Sequence, residues 1–392
     1  MNNFSDDTFE PEDTISKQEE GNASTETHDD REEAEPKELN PSQKKMLLVR
    51  RVCLGLLVLG TSLSLYWARI PETFEINETV RGMAVGYGHR ELDEPLPRGY
   101  RTVATTIYLA DLLLKKPGGY QSNDWVPMTR IPDNMRNWEK GAVVQLRVMV
   151  QGLRFELSRS GPNSGELPEL NDADARFNYN PNRWILQSTE SQYKQGIAFL
   201  EEYLEKINNT TTDGKYFTIR QDQVIQFLER QKMMLGTYAT NLQKNIGATT
   251  FDTGVLTEKI PEGMEGMDSA VVVDPTGKEV EPEDHNDVTP FFQRDDVFYQ
   301  ARGGLFVMYH TMLAMRKDCD KLLNDSQSMG IMNRIINELE SACMPMTSPM
   351  VLNGEEFGAV QNHSLVLAGH VAKAHLAVQE LQKQISGGGV EN

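Results

Sequence analysis

The side chains best equipped for chemistry in this sequence are few and scattered. Ser191 and Lys194 stand as S-x-x-K, which sets a hydroxyl and an amine one helical turn apart. Penicillin-binding proteins and β-lactamases use that spacing for a serine that attacks a carbonyl. The "SND" at 122–124 has the composition of a partner motif in scrambled order. Two fixed positions in four carry little specificity, and that fold needs a sheet behind its helix, where this sequence shows no strand pattern. His363 and His370 lie seven apart, on one face of a helix, and His310 lies on another. A zinc site needs three or four converging ligands, and nothing in these spacings forces convergence. Structural histidines are the expectation, and no metal or cofactor is expected. There is no G-x-S-x-G, Walker A loop or dinucleotide glycine fingerprint. Gly303-Gly304 reads as a close helix crossing. Arg302 and Arg136 could each meet a carboxylate or phosphate, and could equally cap a helix or pair with an acid from a neighbouring helix.

The densest chemistry lies in "KPGGYQSNDWVPMTRIPDNMRNW", Lys116 to Trp138. Its glycines and prolines forbid a continuous helix, yet Tyr120, Trp125, Val126, Met128 and Ile131 are too apolar for a free linker. The main expectation is an ordered lid at 117–132, folded back over the helices on either side. The alternative is a peptide or glycan site built from Tyr120, Asn123, Asp124, Trp125, Arg136 and Trp138, with the aromatics as stacking platforms.

The surrounding elements decide where such a site would work. Residues 1–43 hold fourteen Asp or Glu against Lys17, Arg31 and Lys37, so −11 of the formal −19 lies there. With almost no large apolar residues, this segment reads as a disordered tail. An acidic tail that docks on a basic partner is the functional alternative. The acidity of the whole chain argues against a nucleic-acid partner. An uncharged run from Val52 to Ala68 follows, extended by Met46 to Val49 if Arg50 and Arg51 snorkel. Lys44, Lys45, Arg50 and Arg51 crowd its N-terminal side against Arg69 beyond it, and Tyr66 and Trp67 sit where an interfacial belt belongs. Residues 44–69 are therefore expected to be a single-pass anchor, meeting the bilayer through 46–69, with the tail cytoplasmic. A cleaved signal peptide would need an n-region of some fifty residues, and no A-x-A site follows.

Beyond the anchor, 70–392 reads as an all-α domain built from helical hairpins. Residues 70–100 look irregular. Val103 to Leu114 is spaced as a helix closed by "KKPG", and Asp133 is placed to cap a second helix through Leu153. After a polar loop at 160–183, Thr189 and Gln192 form a capping-box pattern. That helix and the next, to Ile246, read as an antiparallel hairpin. Residues 247–292 read as a long acidic loop holding one candidate β-hairpin near 270–280. Three further apolar stripes follow. The last, Leu367 to Ile385, alternates four and three apart, which suits bundle packing or a contact between copies. Cys319 and Cys343 would lie roughly 12–15 Å apart along a helical hairpin, so they read as separate thiols.

The runs "TIYLADLLLKKPGGYQSNDWVPMTRIPDNMRNWEKGAVVQLR", "WILQSTESQYKQGIAFLEEYLEKI" and "DDVFYQARGGLFVMYHTMLAM" resemble a family of single-pass inner-membrane proteins of Gram-negative bacteria, domain of unknown function 2333. The resemblance spans about 70–385, and "KPGGYQSND" is its most specific part. It implies a bacterial inner-membrane protein with a periplasmic domain and brings no catalytic residues with it. Together these readings point to a non-catalytic envelope scaffold or adaptor that binds another envelope protein or a second copy. An enzyme acting on peptidoglycan or lipid under the 117–132 loop is the alternative from another class, and a transmembrane signal relay is a third.

Overall fold

The computed structural model describes residues 40–124, 133–158, 165–183, 187–210, 215–246, 289–346, 348, 350–354 and 359–387. Most of the acidic tail, Trp125 with the rest of the expected lid to residue 132, and the candidate hairpin near 270–280 lie outside them. The chain divides into two compact units, 1–55 and 56–392. Helix α1, Pro41–Trp67, begins in the first and ends in the second. It is long and apolar enough to cross a membrane, and no other helix among the described residues is. It starts three residues before the expected anchor, with proline in the first turn, where a missing N–H costs nothing.

The second unit is all-α. After α1 come α2 (Ile76–Gly86), α3 (Tyr100–Lys115), α4 (Asn134–Gly152), α5 (Pro168–Phe177), α6 (Thr189–Asn209), α7 (Gln221–Ile246), α8 (Arg294–Asp318), α9 (Asp320–Asp325), α10 (Met329–Cys343) and α11 (His363–Gly387). No strand occurs among the described residues, and one isolated bridge joins Asn353 to Asn362. Helix α8 is central. It is buried almost all round, as a helix without a polar face must be, and it packs on α4, α10, α3 and α7.

Three sequence expectations change. Residues 70–100 contain α2, whose Ile76, Val80 and Ala84 recur every four residues and are buried. The polar loop contains α5, opened by Pro168 and buried through Leu170, Ala173 and Phe177. Helices α6 and α7 are not each other's chief partners: α6 lies on α5 and α3, and α7 lies on α11. The α11 seam, Leu367 to Ile385, is spent inside the bundle against α7 and α10. Cys319 and Cys343 are free thiols.

The α4–α8 crossing is close because both helices carry glycine at the contact. A Cβ on Gly141 would lie 1.8 Å from the Gln300 carbonyl oxygen, and one on Gly303 would lie 1.8 Å from that of Trp138. Backbone meets backbone there, so no side chain can swing aside. Gly303→Ala should therefore cost ~2–3 kcal/mol or more. Gly369, in α11 with open space around it, should behave oppositely: Gly369→Ala should gain ~0.5–1 kcal/mol from helix propensity. Thermal melts in detergent, followed by circular dichroism, check the pair.

Candidate functional site

Helix α4 presents Glu139 inward, one residue after Trp138, and the chain leaving α3 wraps around it. The Glu139 carboxylate accepts from the Gln121 backbone N–H at 2.9 and 3.0 Å, from the Ser122 N–H at 2.7 Å and from the Ser122 hydroxyl at 2.7 Å. Lys116 Nζ lies 2.5 Å from Oε1, and both side chains are wholly buried. Lys116 also donates to the Gly119 carbonyl. Burial pushes the Glu139 carboxyl up, while Lys116, Ser122 and Gln121 pull it back. Every one of those donors suits a carboxylate, and a lysine ammonium sealed beside it needs one, so we read the pair as ionised.

The same loop grips the end of α1. Gln121 donates through Nε2 to the Trp67 carbonyl at 2.8 Å. Gly118 has φ +82°, and a Cβ there would meet Trp67 Cγ at 2.9 Å, so glycine is required both by conformation and by space. A second hold follows seven residues later. The Phe74 N–H donates to His310 Nε2 at 3.1 Å, and the two rings stack at 4.0 Å. His310 Nδ1 bonds the Phe306 carbonyl at 2.8 Å, which fixes the proton on Nδ1 and leaves Nε2 as acceptor.

Among the six residues nominated from sequence, Tyr120 and Trp138 are buried and offer no face for stacking. Tyr120 packs edge-on against Tyr193, and Trp138 against Phe306. Asn123 donates to the Arg183 carbonyl and to Glu190, both at 3.0 Å. Arg136 is half-buried and donates to the Ser122 carbonyl at 2.8 Å. Asp124 is half-buried; burial and then Glu190 push its carboxyl up, against Arg136 and Lys116. Trp125 lies outside the described residues. The loop therefore gathers five of the six, but chiefly as a joint.

The remaining nominations separate. Ser191 and Lys194 are both exposed on α6, and the cap of that helix is Ser188, whose side chain accepts from the Ser191 N–H. Thr189 instead turns its hydroxyl to the Asn180 and Arg183 carbonyls. His370 bonds Glu338 at 2.8 Å, and His363 meets the Leu352 backbone, so the three histidines work in three places. Arg302 donates to the Cys343 and Met344 carbonyls and thus closes the C-terminus of α10.

One cluster has no counterpart in the sequence reading. Asp133, Asp295 and Asp296 bring carboxylate oxygens within 4.8 Å of one another. Asp133 stands at the α4 N-cap without bonding the helix through its side chain, contrary to its expected role. The N-termini of α4 and α8 lie side by side here, since Asn137 donates to Asp296. Two positive helix ends favour such acids. Burial, then Asp133 and Asp295, push the Asp296 carboxyl up to about 6.

These features sit in a chain whose residues 41–388 match the family model described as "Uncharacterized protein conserved in bacteria (DUF2333)". The chain belongs to that family. No curated protein and no solved structure matches it.

Two outcomes follow from this geometry. Glu139→Gln leaves the Lys116 ammonium buried without its counter-charge, and Trp138→Ala opens a cavity at the α4–α8 crossing. Each should cost ~3–5 kcal/mol in thermal melts. For Glu139→Gln, amide exchange at Gln121 and Ser122 should also rise steeply. The second outcome concerns pH. Burial holds the His310 pKa down at about 4, against 6.5 for a free histidine. The unfolded chain therefore takes up the proton first, and stability present above pH 6.5 is lost as pH falls towards 4, by up to ~3 kcal/mol. Asp318, raised to about 6 by burial, acts in the opposite sense. The measurement is thus the difference between the native chain and His310→Gln, which should shrink on acidification.

Proposed function

We propose that this chain is a membrane-anchored helical scaffold or adaptor of the bacterial cell envelope. In this reading α1 is a single-pass inner-membrane anchor, the acidic tail is cytoplasmic, and 70–392 is a periplasmic domain that binds another envelope component. The observation that carries it is the joint at Trp67, where the loop ordered by Glu139 takes the last carbonyl of α1. A domain that only needs tethering uses slack chain. A joint that fixes orientation from the last residue of the anchor serves a protein that presents a defined surface to neighbours in the membrane. The same joint favours a relay variant, in which movement of α1 is passed to α4 and α8.

Reporter fusions and proximity labelling test this reading on the full chain. A periplasm-only reporter fused after residue 392 should be active, and a labelling enzyme at that position should mark a small reproducible set of envelope proteins. Gln121→Ala, which frees Trp67, should disperse that set while the protein stays in the membrane. Activity from a cytoplasm-only reporter alone would invert the topology. Loss of cellular function on substituting Asp124 or Arg136, with melting unchanged and the labelled set intact, would favour an enzyme instead.

A further inference from the structure

The contacts described above bring many chain ends to one end of the bundle. The first turn of α4 lies there, because Glu139 holds the loop that holds Trp67. The start of α8 lies beside it through Asn137 and Asp296. Arg302 brings the C-terminus of α10 to the first half of α8. Asn245, at the end of α7, donates to the Arg294 carbonyl and to Ser364 in the first turn of α11. The opposite end holds the C-terminus of α8, where Asp318 accepts from the Thr102 N–H and hydroxyl in the first turn of α3.

Exposed apolar side chains follow this polarity. Beyond α1, nine large apolar residues are exposed among those described, and five of them stand at the joint end: Phe292, Met344, Met350, Val360 and Val366. Phe292 lies in the short 3-10 turn that leads into α8 and is 88 % exposed. Met344 follows α10, Met350 and Val360 lie between α10 and α11, and Val366 is in the first turn of α11. Solvating such side chains is unfavourable by about 25 cal/mol per Å² of apolar area. A cluster of this kind marks a contact surface.

We propose that this end of the domain rests on the bilayer, with Phe292, Met344, Met350 and Val360 at headgroup depth, as a second membrane contact beside the anchor. The occupant follows from the joint: Trp67 ends the apolar helix and is captured directly by the loop, so no slack chain separates this end from the membrane surface. The inference rests on the anchored reading proposed above.

The test uses the full chain in phosphatidylcholine vesicles, in a background with Cys53, Cys319 and Cys343 replaced by Ser or Ala, with an environment-sensitive fluorophore on single introduced cysteines. Phe292→Cys and Met350→Cys report the joint end, Leu92→Cys the opposite end, and Leu57→Cys the anchor. Lipids carrying a quencher near the headgroup should quench labels at 292 and 350 severalfold more than the label at 92. Lipids with the quencher near the bilayer centre should quench only the label at 57. If 57 is quenched but 292 and 350 behave as 92 does, the contact is absent while the anchor stands. If 292 and 350 are shielded from aqueous iodide without lipid quenching, a protein or a second copy covers this end and the bilayer contact is wrong. If 57 escapes deep quenching, the anchored reading fails and this inference fails with it.

Discussion

Where α4 crosses α8, backbone touches backbone, and the rest of the domain is arranged around that contact. Gly141 and Gly303 remove the side chains that would hold two helices at the usual 8–10 Å separation. Once the axes are that close, the direction of every neighbouring side chain is set. Trp138 must turn towards Phe306, and Glu139, the next residue around the helix, must point at the chain leaving α3. A third close approach, Gly304 beneath the Tyr238 hydroxyl, brings α7 onto the same stretch. Through Gln145 that hydroxyl joins a buried pair of amides, Gln145 and Gln231. Small residues on α8 thus let three helices share one short segment of core.

Two buried carboxylates then fix α3 at its two ends. Asp318, from the end of α8, accepts from the Thr102 N–H and hydroxyl where α3 begins. Glu139, from α4, meets Lys116 where α3 ends. An acid at the N-terminus and a lysine at the C-terminus both suit the helix dipole. Each carboxylate comes from a different helix, so the placement of α3 depends on α4 and α8 being correctly crossed. An apolar pair of equal volume would fill the space without that dependence. The ions contribute position more than stability.

The apolar periodicity made most of this bundle legible in the sequence. Helices α3, α4, α6, α7, α8, α10 and α11 appear close to where the stripes put them, because a one-sided stripe at 3.6-residue spacing has few other uses. Helices α2 and α5 escaped for a shared reason. Each is short, contains exposed glycine or many acids, and buries only three apolar residues, so local composition resembles a loop. The Ser188 cap was missed because Thr189 offers the same chemistry one residue later. The joint escaped for another reason. Gln121 and Trp67 are 54 residues apart, and Phe74 and His310 are 236 apart. Nothing local in "KPGGYQSND" names its partner. The sequence marked the loop as special through its glycines and aromatics, and those same features serve a ligand site equally well.

That ambiguity has a physical source. A binding loop and a structural joint both need glycine where chain approaches chain, buried aromatics for mass, and polar groups that converge. They differ in where the polar groups end. Here Gln121, Ser122 and Lys116 all close on Glu139, and Asn123 closes on Arg183 and Glu190, so the donors of the loop are committed within the domain, while Gln121 Oε1 and Asn123 Oδ1 are buried with no hydrogen-bond partner among the described residues. The two holds on the chain after α1 then act as a pair. Trp67 is fixed to the loop that Glu139 orders, and Phe74 is fixed to His310 in the middle of α8, with six residues between. Chain pinned at both ends of so short a span has few conformations with which to absorb a tilt or rotation of α1. Displacement of the helix end must instead load the Gln121 bond or the Phe74–His310 stack. Both lead, within one further contact, to the α4–α8 crossing.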